Sequence, residues 1–168
     1  MSNRKNFFEI YKSFIKSIES QSIVLKRIDF KANTKIEGEI KEEKIRREFK
    51  INKVKVSLGE VLKDPENDNS RSLPVIVVSY EGEHKDILLI NKKKEKITYA
   101  RFEFDIKLIL KENSIFLNLN EDEQNDIIKY FVNTTGKLML FPYIRHILHF
   151  LFLEAGLMLP PLKPIIIK

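Results

Sequence analysis

The sequence predicts an α+β fold: a four-to-six-stranded antiparallel sheet, a long C-terminal helix packed on one side, and an extra N-terminal helix. Three observations carry that prediction. Residues 101–110 alternate strictly, with Phe102, Phe104, Ile106, Leu108 and Leu110 on one face and Arg101, Glu103, Asp105 and Lys107 on the other, as a half-buried strand requires. Residues 138–156, wound as a helix, are apolar on nearly every side, interrupted only by Arg145, His146, His149 and Glu154. The segments between strand patterns suit antiparallel neighbours, with strands first and helices last.

The elements follow in order. Phe7, Tyr11, Phe14 and Ile18, widened by Ile10 and Ile15, recur at helical spacing and predict an amphipathic helix over 6–19, with Glu9, Lys12 and Lys16 outward. Ser20–Ser22 ends it, and from Ile23 the period changes to two, with Val24, Ile28 and Phe30 sharing one face. The charged stretch from Asn33 to Arg47 reads as a crossover or exposed hairpin. Phe49 and Ile51 start a strand that continues as Val54, Val56 and Leu58, and the phase slip at Asn52-Lys53 predicts a bulge. Residues 63–72 are a loop by composition, and Pro74 fixes the start of a strand at 75–80. A short apolar run at 87–90 leads to the basic tip Lys92–Lys96. After the strand at 101–110, Glu112-Asn-Ser114 turns the chain into a further strand at 115–119. Asn120 and Glu123 stand at capping-box spacing before a helix over 121–132, which Asn133–Gly136 closes. No repeat or linker divides the 168 residues. They read as one domain, with the N-terminal helix in 1–20, the sheet in 21–120, and helices with a Pro-rich loop in 121–168.

Composition narrows the function. There is no cysteine, which excludes disulfides, thiolate metal sites and a cysteine nucleophile. The net charge of +6 is compatible with acidic or nucleic-acid partners. However, the lysines are scattered over outward strand positions and loop tips, and neither a basic helix nor an RNP-like aromatic motif appears. No nucleic-acid partner is therefore expected, and a basic nucleic-acid-binding protein stands as a rival reading. Phe7-Phe8 runs into Glu9, Lys12 and Lys16 instead of a signal-peptide core, so a cytoplasmic location is expected. Pro142, Arg145 and His149 interrupt the best apolar stretch, so no membrane partner is expected. No nucleophile elbow or phosphate loop is present, so the chain is expected to be no enzyme, with no catalytic residue and no cofactor. His146 and His149 lie three residues apart, but His84 is the only other histidine, and no metal site is expected.

A helix apolar all round needs a second cover beyond its own sheet. The segment Leu140-Phe-Pro-Tyr-Ile-Arg145, followed past one long helix by Gly156-Leu-Met-Leu-Pro-Pro-Leu-Lys-Pro-Ile165, resembles the SecB export chaperones. That family opens its long helix on Leu-Phe-Pro-Tyr-x-Arg and follows it with glycine and a Pro-rich apolar loop. The resemblance runs over residues 106–165, including the strand at Ile115-Phe116 and the acidic helix before the motif. It implies a four-stranded sheet, assembled as a dimer of dimers with the long helices between sheets, that holds unfolded polypeptide in apolar grooves without ATP.

Site residues follow from that resemblance. Client contacts are expected from Tyr99, Phe102, Phe104, Ile144, Leu148, Leu157, Met158, Leu159 and Leu162, and subunit contacts from Tyr143, Arg145, Ile147, His149, Phe150 and Leu151. Phe102 and Phe104 also read as core. Arg145 is expected to pair with a carboxylate of the sheet or with Asp126. Three departures matter: the sequence stops at Lys168 where the family continues into a second helix, the N-terminal helix is additional, and the charge is basic. The family docks to the SecA motor through an acidic sheet surface, so SecA is left open as a partner. SecB-like proteins of divergent sequence also hold antitoxins in toxin–antitoxin modules. The expected function is an ATP-independent holdase, with a dedicated antitoxin chaperone as its alternative.

Overall fold

The structure, a computed structural model, describes residues 2–33, 45–62, 71–90 and 93–157. The charged stretch at 34–44, the loop at 63–70, residues 91–92 and everything from Met158 onward lie outside the described residues. In chain order the elements are α1 (Ser2–Lys16), β1 (Ile18–Ala32), β2 (Ile45–Leu62), β3 (Ser72–Ile90), β4 (Lys93–Leu110), a 3₁₀ turn (Ile115–Asn118), α2 (Glu121–Asn133) and α3 (Thr135–Glu154). The four strands form one antiparallel sheet in the order β1-β4-β3-β2, which leaves β1 and β2 at the edges. An extra N-terminal helix and a long C-terminal helix complete the α+β fold.

The residues group into two compact units. The first gathers Met1–Val24, Lys55–Ser79 and Asp105–Thr135, and the second gathers Leu25–Val54, Tyr80–Phe104 and Gly136–Lys168. Each strand thus contributes one part to each unit.

In the first unit, α1 is held by aromatic packing. Phe14 is fully buried, 5.3 Å from the ring of Phe116 and 6.2 Å from that of Phe131. Tyr11 meets Tyr130 edge-on at 4.7 Å, and its hydroxyl shares a 2.6 Å hydrogen bond with that of Thr135. Ser17 terminates the helix: its hydroxyl donates to the Phe14 carbonyl at 2.7 Å and also lies 2.6 Å from the Ser114 hydroxyl. The Lys111 amide donates to the Ser17 carbonyl at 2.9 Å, tying the start of β1 to the end of β4. The capping box of α2 forms as its spacing predicts, with Asn120 accepting from the Glu123 amide at 2.9 Å and Glu123 accepting from the Asn120 amide at 3.3 Å.

Several boundaries differ from expectation. Helix α1 ends at Lys16, and the chain is already a strand at Ile18, because the serine hydroxyl closes the last turn there. The runs at 75–80 and 87–90 belong to one strand, β3. Residues 115–118 form a 3₁₀ turn where a strand was expected, because the Ser114 hydroxyl accepts from the Phe116 amide and curls the chain. In β2, half-burial falls on Ile45, Arg47, Phe49 and Ile51, with Glu48 also half-buried, and then on Val54, so the phase changes at Asn52-Lys53. Beyond Val54 every residue of this edge strand is exposed, including the expected core positions Val56 and Leu58.

Candidate functional site

The site is built in the second unit, where α3 presents two unlike faces. Leu140, Ile144, Leu148 and Phe152 recur every fourth residue and are buried. Aromatic contacts seat the helix on the sheet: Phe141 meets Phe49 edge-on at 6.1 Å, and Phe152 lies 5.9 Å from Phe30 and 6.4 Å from the His84 ring. The opposite face is apolar and exposed among the described residues. Leu138 is 54%, Tyr143 52%, Phe150 55% and Leu153 58% exposed. Pro142, His146 and His149 are exposed with them, while Arg145, Ile147 and Leu151 are half-buried on the flanks. Among the described residues of this unit, Arg145, half-buried on the flank of α3, makes no ion pair with a carboxylate.

The helix ends in a Schellman arrangement. Gly156 has φ of 69°, its amide donates to the Leu153 carbonyl at 2.9 Å, and the Leu157 amide reaches the Phe152 carbonyl at 2.8 Å. Leu157 and Phe152 are both buried, the apolar contact that accompanies this cap.

The residues singled out for client contact therefore separate. Phe102, Phe104, Ile144, Leu148 and Leu157 are buried within the single chain. Phe102 stacks on Phe49 at 5.4 Å with an 11° interplanar angle, and lies 5.7 Å from Phe104. Its ring fills the space over Gly82, where a Cβ would sit 2.5 Å from the ring and 2.7 Å from the Lys50 carbonyl oxygen. Tyr99 is half-buried, while Met158, Leu159 and Leu162 lie outside the described residues.

Beneath α3 lies a buried polar cluster that the sequence reading missed. Asp86 and His84 face inward on β3, and Thr98 faces inward on β4. Thr98 donates its hydroxyl to Asp86 Oδ2 at 2.7 Å, His84 Nε2 donates to the same oxygen at 3.1 Å, and Arg47 Nε lies 3.4 Å from Oδ1. Burial pushes the Asp86 carboxyl up, but the His84 contact, the Thr98 hydrogen bond and the Arg47 charge outweigh it and hold it below its ordinary range. The missed signal is periodicity: Tyr80, Gly82, His84, Asp86 and Leu88 continue the inward row of Ile76 and Val78.

At the junction of β1 and β4, Lys31, Asn33, Lys96 and Tyr99 border a shallow cleft of about 380 Å³. The Tyr99 ring has Lys96 Nζ 5.3 Å and Lys85 Nζ 5.8 Å from its centroid, and its hydroxyl donates to Glu83 at 3.3 Å. Lys85 donates to Glu83 at 2.7 Å, which holds the Glu83 carboxyl below its ordinary range. Among the described residues no three acidic or histidine side chains cluster as a metal site, and no helix is long and apolar enough to cross a membrane.

No family model matches the chain, and neither does any curated protein. Among solved structures it is similar to the SecB-like chaperone of Mycobacterium tuberculosis, solved in complex with a ChAD peptide from an antitoxin. The TM-score is 0.56 at 18% identity, covering 95% of this chain and 97% of that one. The fold is thus SecB-like over essentially the whole sequence.

Proposed function

We propose that this SecB-like fold serves as an ATP-independent holdase, a chaperone without enzymatic activity that acts in the cytoplasm on unfolded polypeptide. The whole chain, 1–168, acts as a single domain in this proposal. One observation carries it: the outward face of α3, with Leu138, Tyr143, Phe150 and Leu153 each more than half exposed, is apolar surface in the described part of the chain. Sister copies cover this face in a homo-oligomer, a dimer of dimers, through Tyr143, Ile147, Phe150 and Leu151 with Arg145 and His149 as polar members. Burying what remains exposed of each large side chain contributes roughly 1 kcal/mol, so association draws on the whole face.

Client polypeptide meets Tyr99 and the segment carrying Leu157, Met158, Leu159 and Leu162, over a packed floor of Phe102, Phe104, Ile144 and Leu148. Prolines 160, 161 and 164 restrict that segment, and Met158 adapts to varied side chains. The antitoxin peptide bound by the M. tuberculosis chaperone favours a second reading, in which one antitoxin is the dedicated client. SecA docking is not included, because the net charge of +6 opposes an acidic docking surface.

The test is suppression of aggregation of a chemically denatured protein by wild type and by Tyr99→Ala/Leu159→Ser/Leu162→Ser. The variant should keep its thermal midpoint and lose most of the suppression, and wild-type suppression should persist as salt is raised. Equal suppression by both proteins would remove these residues from the site.

A further inference from the structure

We infer that the cleft at the junction of β1 and β4 takes the carboxylate of an acidic residue in an extended polypeptide, which gives bound chains a preference for aspartate or glutamate beside apolar side chains. The inference rests on the polypeptide-binding function proposed above and assigns a chemistry to one part of that surface.

The charges at the cleft are unevenly satisfied. Lys85 is engaged by Glu83 at 2.7 Å, and Glu95 is engaged by the Asn33 side-chain amide at 2.9 Å. Lys31 and Lys96 also line the cleft, and among the described residues neither has a carboxylate partner. Lys96 is held near the cleft by the Tyr99 ring, 5.3 Å from its Nζ. The floor is firm: Ile97 and Thr98 are buried, the Asn33 amide donates to the Ile97 carbonyl at 2.7 Å, and Thr98 is fixed by Asp86. Two ammonium groups at one shallow cleft, beside the face of an aromatic ring, match a single carboxylate with an apolar neighbour.

The same layout argues against a phosphodiester backbone. Glu83 beside Tyr99 and Glu95 beside Asn33 place negative charge at the cleft, which a continuous run of phosphates would meet and an isolated side-chain carboxylate would not. β1 is an edge strand, so an extended segment has room to pass the cleft.

The experiment measures binding of two short labelled peptides to the full-length protein by fluorescence anisotropy. The peptides share an apolar sequence and differ only in aspartate against asparagine. Wild type should bind the aspartate peptide about three- to tenfold more tightly at low salt, the gain expected of two exposed ion pairs, with the gap closing near about 0.5 M salt. Lys31→Ala/Lys96→Ala should erase the gap and leave the asparagine peptide's affinity unchanged, while Lys12→Ala/Lys129→Ala should preserve the gap. Equal affinity of the two peptides for wild type, or a gap that survives Lys31→Ala/Lys96→Ala, would overturn the assignment. Displacement of the aspartate peptide by a single-stranded oligonucleotide that depends on Lys31 and Lys96 would reassign the cleft to nucleic acid. Failure of both peptides to bind wild type would remove the polypeptide-binding function and this site with it, whereas loss of the preference alone removes only the site.

Discussion

Substituting Asp86 by alanine removes the acceptor of the Thr98 hydroxyl and of His84 Nε2, and removes the charge facing Arg47 Nε. Hydrogen bonds to a charged acceptor contribute about 1.5–3 kcal/mol each, and breaking a buried charge pair from one side costs about 3–5 kcal/mol. The same carboxylate serves both roles, so the effects overlap, and Asp86→Ala should cost about 3–5 kcal/mol. Asp86→Asn keeps the shape and one acceptor oxygen, and should cost roughly 1.5–3 kcal/mol. Urea unfolding at neutral pH reads both as a lower midpoint with an unchanged slope. A loss under about 1 kcal/mol for Asp86→Ala would refute the account of the cluster. Acid adds an independent check. The folded Asp86 carboxyl sits below its ordinary range, so its stabilisation is present above the unfolded value of about 3.9 and is lost as pH falls through the lower folded value. Wild-type stability should therefore fall more steeply in acid than that of Asp86→Asn. Parallel acid slopes for the two proteins would contradict the cluster's role.

Three further outcomes follow from other parts of the fold. Gly82→Ala should lower stability by about 1–3 kcal/mol, because the new methyl meets both the Phe102 ring and the Lys50 carbonyl; thermal unfolding checks it, and Phe102→Leu in the same chain should restore only part. Asn120→Ala should cost about 1 kcal/mol through loss of both halves of the capping box, seen as a matching shift in denaturant midpoint. Leu138→Ser/Phe150→Ser/Leu153→Ser should break the proposed homo-oligomer, measured as molar mass by light scattering against wild type, while the chain stays folded by circular dichroism, since these side chains are exposed within the single chain.

The parts legible in the sequence were those whose burial follows an unbroken period. The capped helix after Asn120 and the apolar faces of α3 obey such a rule, and so does the strand at Phe102–Leu110 except at Asp105, which was expected outward but is buried and accepts a 2.7 Å hydrogen bond from the Ser79 hydroxyl. The middle of β3 was not legible, because Gly82, His84 and Asp86 occupy inward positions where apolar side chains are expected. Gly82 is inward because Phe102 supplies the missing bulk, and His84 and Asp86 are inward because they pair with each other, with the Thr98 hydroxyl on Asp86 Oδ2 and the Arg47 charge 3.4 Å from Oδ1. Each exception depends on partners from another strand, which no local pattern contains. The 3₁₀ turn at Ile115–Asn118 was hidden for a similar reason: a serine side chain, not an apolar period, sets its backbone. The residues named for client contact were legible as apolar, but not that Leu157 would be spent on capping α3.

The strand order has a bearing on biosynthesis. Among the described strands β1, the first to leave the ribosome, pairs with β4, the last, so that pairing waits until residues 93–110 have been made. Both compact units are likewise assembled from three separated stretches, and neither can close from an N-terminal fragment. At about 5–20 residues per second the nascent chain spends several seconds with apolar strands unmatched. Translation pauses between β1 and β4 would lengthen that interval, and truncated products ending before β4 should partition to the insoluble fraction.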